Sequence, residues 1–292
     1  MIVEIYNPYL KVKVNTLGGE LYSIRDYGYG EYLWQGDQAY WGQRAPNLFP
    51  YVGRLTEGKY RYEGKEYRMG IHGFIQTYEM QICRQEQDSL TLKAVSAPWT
   101  MEQYPFPFEY YITYSLRFRR VTVQYRVVNT GNRPMYFGIG GHPGFQVPLE
   151  DGMAFEDYFL EFEKACRPER IGFTETCYLN GKDSSFPLEN NCIHLKHQLF
   201  DQDAIVLKNM SSAVWLKSKK GRKSVKISYP DMKYLGIWHM PCTDAPYICI
   251  EPWYSLPSRQ DVVEELNRQP GLIALPGNRE YSNTWEIECR GV

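Results

Sequence analysis

Ile112-Thr113-Tyr114-Ser115-Leu116-Arg117-Phe118, followed across Arg119-Arg120 by Val121-Thr122-Val123-Gln124-Tyr125-Arg126-Val127, is the stretch that decides the fold. Ile112, Tyr114, Leu116 and Phe118 fall on one face of an extended chain and Thr113, Ser115 and Arg117 on the other, the period of a strand with one buried side. Val121, Val123, Tyr125 and Val127 repeat the pattern, so the two runs predict a hairpin inside a sheet, although the turn lacks the usual Gly or Asn. Outward from it the same signal recurs. Tyr60-Arg61-Tyr62 and Glu66-Tyr67-Arg68 flank Glu63-Gly64, Ala213 to Lys217 and Ser224 to Ser228 flank Lys220-Gly221, and Trp285, Ile287 and Cys289 alternate near the end. Helix is indicated once, where Ser258 and Asp261 make a capping-box-like start before Val262, Val263 and Leu266. With no Gly/Ser linker, low-complexity tract or fixed-period repeat, the expectation is all-β: one large antiparallel domain over residues 1–292 with one or two short peripheral helices.

The chain has 292 residues, which alone suggests about two domains, yet all-β sandwiches reach roughly 250 residues as one unit. Hydrophobic residues at 43% and aromatics at 15% suffice for a large core and a lined pocket, and no apolar run approaches the ~20 residues that span a bilayer. The opening Met1-Ile2-Val3-Glu4-Ile5-Tyr6 lacks the basic start and apolar stretch of a secretory signal, and the seven cysteines have no disulfide-scaffold spacing. A reducing cytoplasm is expected. Basic residues number 33 and acidic ones 34, so no global field favours nucleic acid or an anionic membrane, and the expected partner is a small molecule.

Four segments place ionisable residues among glycine, proline and aromatics: Asn47-Leu48-Phe49-Pro50-Tyr51-Val52-Gly53-Arg54-Leu55, Ile71-His72-Gly73-Phe74, Gly140-Gly141-His142-Pro143-Gly144-Phe145 and Cys249-Ile250-Glu251-Pro252-Trp253. Carbohydrate sites need this mixture, because an aromatic face covers the C–H surface of a pyranose while Arg, His and carboxylates fix its hydroxyls. Gly73 lets a ligand approach the backbone beside His72. His142 is held between Gly140-Gly141 and Pro143-Gly144. Glu251 follows the apolar run Tyr247 to Ile250, so a strand delivers a carboxylate into surroundings where desolvation raises its pKa towards a value useful for proton transfer. A structural histidine and a buried Glu paired with an Arg are the bland readings of the same residues. Two His and one Glu also admit zinc, but the His-x-x-x-His or paired-Cys spacing of a zinc site is absent, so no metal is expected. His194, His197 and His239 read as structural. Neither a phosphate-cradling Gly-Lys-Ser/Thr loop nor a Gly-x-Ser-x-Gly elbow occurs, which removes nucleotide hydrolysis and serine-esterase chemistry.

Taken in order, these segments resemble the aldose 1-epimerase (galactose mutarotase-like) family, and most closely its bacterial LacX-like branch. The resemblance begins with Gly18-Gly19-Glu20-Leu21-Tyr22-Ser23-Ile24 and Glu31-Tyr32-Leu33-Trp34-Gln35-Gly36. It runs through Tyr40-Trp41 and Phe49-Pro50-Tyr51-Val52-Gly53-Arg54-Leu55, and it ends at Leu275-Pro276-Gly277. It implies a β-supersandwich with the sugar in an open cleft and no cofactor. It further implies Glu251 as the base that takes the anomeric hydroxyl proton, His142 as the acid that protonates the ring oxygen, His72 as a second histidine bonding the substrate, and Arg54 as the orienting arginine. The family's sugar-gripping Asp has two candidates, Asp201 and Asp203, of which Asp203 directly precedes an apolar run. Trp253 belongs to the cleft, and Ser255 stands where relatives often have Gly, which implies a differently shaped rim.

An alternative within enzymes is a hexose-6-phosphate 1-epimerase, with Arg44 as the phosphate ligand. Outside catalysis, a carbohydrate sensor would keep the fold and the cleft. A lyase or glycosidase shares parts of such folds, but only Glu251 has the motif context of a catalytic carboxylate, where a glycosidase needs two. The expected partner is therefore a sugar or sugar phosphate, and the sequence leaves a homodimer open.

Overall fold

In the computed structural model, which describes residues 1–28 and 30–291, the deciding stretch forms the antiparallel strands Phe108–Arg117 and Arg120–Asn129. Their register runs from Phe108 opposite Asn129 to Arg117 opposite Arg120, leaving Phe118 and Arg119 as the turn. Phe118 takes φ 52° and is 63% exposed, so it leaves the buried face that alternation assigned to it. A two-residue hairpin turn calls for positive φ, and here a phenylalanine supplies it where Gly or Asn is usual.

The hairpin lies inside a nine-stranded sheet, between Glu280–Arg290 on one side and Ser89–Val95 on the other. Facing it is a second antiparallel sheet that includes Asn47–Leu48, Gly140–Gly141, Tyr247–Trp253, Tyr234–Trp238 and Ile205–Lys208, with Gly144–Gln146 also paired to Tyr247–Trp253. Tyr110, Ile112, Tyr114, Val123, Tyr125 and Ile287 from the first sheet share one apolar core with Ile205, Leu207, Leu235, Ile237, Ile248 and Ile250 from the second. Each strand of the second sheet therefore turns alternate residues to the core and the rest to its outer face, the packing of a β-sandwich. Leu10–Asn15 and Glu20–Asp26 belong to a further four-stranded sheet. The core reaches from Val3 to Cys289.

Asn47 fastens the two sheets together. Its Nδ2 donates to Gly18 O, Gly19 O and the Tyr114 hydroxyl, and its Oδ1 accepts from the Tyr125 hydroxyl at 2.8 Å. At Gly141 the two layers approach so closely that a Cβ would lie 2.6 Å from a ring carbon of Trp285. Gly141→Ala is therefore expected to lower stability by about 1–3 kcal/mol, because the fully packed Trp285 ring has nowhere to move; a denaturant midpoint equal to the wild type would contradict this.

Residues 258–266 do not form the expected helix. Asp261 takes φ 58°, which breaks a right-handed turn, and the Ser258 hydroxyl accepts from Thr56 N–H and donates to Arg54 O instead of capping. A 3-10 turn follows at Leu266–Arg268. The α-helix lies instead at Pro98–Gln103, with Pro98 in its first turn and the Thr100 hydroxyl accepting from Ala97 N–H. No helix among the described residues is long and apolar enough to cross a membrane, and the seven cysteines are free thiols.

Candidate active site

Strand Tyr247–Trp253 is buried along its whole length because both of its faces are used. Ile248 and Ile250 join the core between the sheets, while Tyr247, Cys249, Glu251 and Trp253 stand on the outer face. The neighbouring strand pairs Gly236 with Glu251 and Trp238 with Cys249. A Cβ at Gly236 would come 3.2 Å from the Glu251 Cβ, so the glycine makes room for the carboxylate. Trp41, Trp238, Trp253 and Phe173, together with Arg54, His72, His142, Asp203 and Glu251, line a cavity of about 250 Å³ over this outer face.

Glu251 is 1% exposed, and burial first, then the Asp203 carboxylate, pushes its pKa well above the ordinary carboxylate value. His142 Nε2 lies 3.1 Å from Glu251 Oε2. The imidazole reaches this point because Gly140 pairs with both Trp253 and Leu48, where a Cβ would lie 2.9 Å from Trp253 Cδ1, and because His142 N–H is bonded to Pro46 O. Trp41 packs on the ring with centroids 4.9 Å apart, and Trp238 and His72 meet its edge. Burial and then His72 lower the His142 pKa well below the usual histidine value. The two groups thus lie within reach of each other in surroundings that disfavour charge on either.

His72 has φ 63°, and the φ of 78° at Gly73 brings the backbone so near Phe49 that a Cβ there would meet Phe49 O at 2.3 Å. Gly53 N–H donates to His72 Nδ1 at 3.1 Å, so the neutral ring carries its proton on Nε2. Burial, aided by the Arg54 charge, lowers its pKa to about 4 and keeps it neutral.

The chain as a whole has counterparts. The family model for aldose 1-epimerase matches residues 1–264. The chain belongs to the aldose 1-epimerase family. Among curated relatives of this family, the chromosomal protein LacX of Lactococcus lactis subsp. lactis is 33% identical over 285 residues, covering 94% of this chain and 95% of its own. A galactose mutarotase related enzyme from Lactobacillus acidophilus superposes with a TM-score of 0.95 at 30% identity, covering 100% of this chain and 98% of that one. A galactose mutarotase-like protein from Lactobacillus casei ATCC 334 gives 0.93 at 28% identity over 99% and 100%.

Of the residues that the resemblance to aldose 1-epimerases singled out, Arg54, His72, His142, Asp203, Glu251 and Trp253 meet in the cavity. Arg44 does not. Its Nη1 donates to Tyr22 O and Gln35 Oε1, each at 2.7 Å, and the guanidinium lies 3.5 Å over the Tyr22 ring, which holds it outside the cavity lining. Asp201 belongs to a separate depression with Tyr40, His197 and Cys242. Ser255 is fully buried against Gly138 rather than at the rim, so the departure from the family's Gly does not reach the cavity. Trp238, Cys177, Gln43 and Gln76 line the cavity without having been singled out; for Trp238 the signal was present, since Tyr234, Gly236 and Trp238 alternate opposite the strand bearing Glu251. Cys249, two residues before Glu251 on the same face, brings a third ligand atom within 4.8 Å of His142 and Glu251, an arrangement that motif spacing did not reveal. Burial first and then the Glu251 charge push its thiol pKa well up, so at neutral pH it stands there as a thiol.

Proposed function

We propose that the protein is an aldose 1-epimerase that interconverts the α and β anomers of an unphosphorylated hexose. The observation that carries this reading is the contact of Glu251 with His142 inside a cavity walled by tryptophans. The anomeric hydroxyl and the ring oxygen of an aldose are bonded to the same carbon, so an acid and a base that touch each other can serve both. Glu251, as carboxylate, takes the proton of the C1 hydroxyl while His142, as imidazolium, protonates O5 and the C1–O5 bond breaks. Rotation about C1–C2 presents the other carbonyl face, and reclosure with the roles reversed returns both protons. With one proton on the resting pair, the reactive form differs from it only by the shift of that proton from Glu251 to His142, which sugar hydroxyls in the cavity stabilise by solvating the charges. His72, with a donor on Nε2, and Arg54 orient the sugar oxygens, and the tryptophans cover its C–H faces.

The charges of the cavity favour a neutral hexose over its 6-phosphate. Among the described lining residues Arg54 is the one Arg or Lys, it shares the cavity with the Asp203 carboxylate, and Arg44 is engaged elsewhere. A pure sensor has no use for a carboxyl held this far from its ordinary pKa beside a histidine. NMR exchange spectroscopy on glucose, galactose and their 6-phosphates tests the proposal. The free sugars are expected to exchange with kcat/KM at least about tenfold above the phosphates, and Arg44→Ala is expected to leave both unchanged. Faster exchange of the phosphates, lost selectively in Arg44→Ala, would reverse the substrate assignment.

A further inference from the structure

At the start of Ile205–Lys208, in the same sheet as the Glu251 strand, the cavity wall carries a contact that the reaction described above does not use. Cys177 Sγ lies 3.1 Å from Asp203 Oδ2, and both residues line the cavity. We propose that Cys177 is a positioning residue: its thiol holds the Asp203 carboxylate in the orientation that grips the sugar, so that the pair sets substrate affinity. The inference rests on the epimerase reading and deepens it.

Both residues adopt left-handed backbone, Cys177 at φ 65° and Asp203 at φ 69°, a conformation that costs energy for side chains of either kind and collects at functional sites. The turn carrying Cys177 is fixed at its base by the bridge between Phe173 and Leu179 and by the bonds of Cys177 N–H to Thr174 O and of Leu179 N–H to Ser258 O. On the other side of the contact, Asp203 Oδ1 accepts from Ala204 N–H at 2.7 Å. One carboxylate oxygen is thus fixed by backbone, and the other depends on the thiol. Burial first, then the Asp203 bond and charge, keep the Cys177 pKa up at about 12, so at neutral pH it remains an S–H donor. A thiol is a weak donor, but a charged acceptor strengthens the bond. Trp253, only 6% exposed, lines the same cavity and turns its indole N–H towards Glu251, where it offsets part of the burial that raises that carboxyl's pKa. Asp203 is also near enough to raise the Glu251 pKa, which places the held carboxylate beside the proposed reacting centre.

Steady-state kinetics of Cys177→Ala and Cys177→Ser with the preferred free hexose, accompanied by NMR titration of hexose affinity, tests this. Cys177→Ala is expected to raise KM and Kd about five- to tenfold with kcat within about twofold, and Cys177→Ser, whose hydroxyl can donate in the same place, to stay within about twofold of the wild type. Unchanged affinity in Cys177→Ala, or equal weakening in both variants, would overturn the proposal. If the wild type turns over no hexose, the epimerase reading fails, while the ratio of Kd values still decides the role of Cys177.

Discussion

Glu251→Gln is expected to abolish anomer exchange while raising the melting temperature at pH 7. The amide has the shape of the carboxyl but cannot take a proton, so the general-base contribution, about 10²–10⁴-fold, is lost, whereas hexose affinity stays within about an order of magnitude. The gain in stability follows from the same burial. Glu251 is 1% exposed with its pKa raised above 4.5. A carboxyl that holds its proton more tightly in the folded state contributes most to stability below its unfolded pKa and loses that contribution as the pH rises towards its folded value. An amide has no such dependence, so the advantage of Gln over Glu should be absent near pH 4 and grow towards pH 8, reaching roughly 1–2 kcal/mol, or a few degrees. Exchange by the variant at the wild-type rate would remove Glu251 from the chemistry, and a lower melting temperature at pH 8 would refute the account of its environment.

His142→Gln is the second large effect, a fall in kcat of about 10²–10⁴-fold together with a changed pH profile. In the wild type the active pair holds one proton. Acid inactivates by adding a second, which requires protonating a histidine whose pKa is lowered, and alkali inactivates by removing the first from a carboxyl whose pKa is raised. The kcat/KM profile should therefore be flat through neutrality, with its acid limb below the ordinary histidine value near 6.5. His72, lowered to about 4, stays neutral across the same range. In the variant only the carboxyl titrates, and the residual rate should climb with pH through its raised pKa. A wild-type acid limb centred at 6.5 would show that His142 is solvated and not desolvated as described. The two histidines also set a sign for stability: buried neutral, they favour the folded state above the unfolded histidine pKa, and this contribution is lost as the pH falls below about 6.5, for His72 over the range down to about 4.

The period-two alternation at 112–117 and 121–127, at 213–217 and 224–228, and at Trp285, Ile287 and Cys289 falls in strands of one sheet, because each has one face in the core and the other turned away from it. Where it failed, a local demand overrode it. Phe118 was assigned to the buried face but forms the turn, and the cap-like Ser258 serves Thr56 and Arg54 in place of a helix. Motif order pointed to six residues that the fold gathers from five strands and loops far apart in sequence. Arg44 lies outside the cavity lining, because proximity in sequence to a cleft motif says nothing about which way a guanidinium turns, and Tyr22, its stacking partner, lies 22 residues away. The Cys177–Asp203 contact was invisible for a related reason: it joins two loops through left-handed backbone that no periodicity announces.

The cavity is assembled from parts of unequal permanence. Glu251, Trp238 and Trp253 are borne by strands whose opposite faces fill the core, so any shift in their backbone would have to displace Ile237, Ile248 or Ile250 as well. Asp203 and Cys177 are carried by turns outside these strands. Laboratory evolution towards new sugars should accordingly accumulate its changes on the loop-borne wall and spare the strand-borne one, so that substrate preference drifts freely while the proton-transfer apparatus stays fixed.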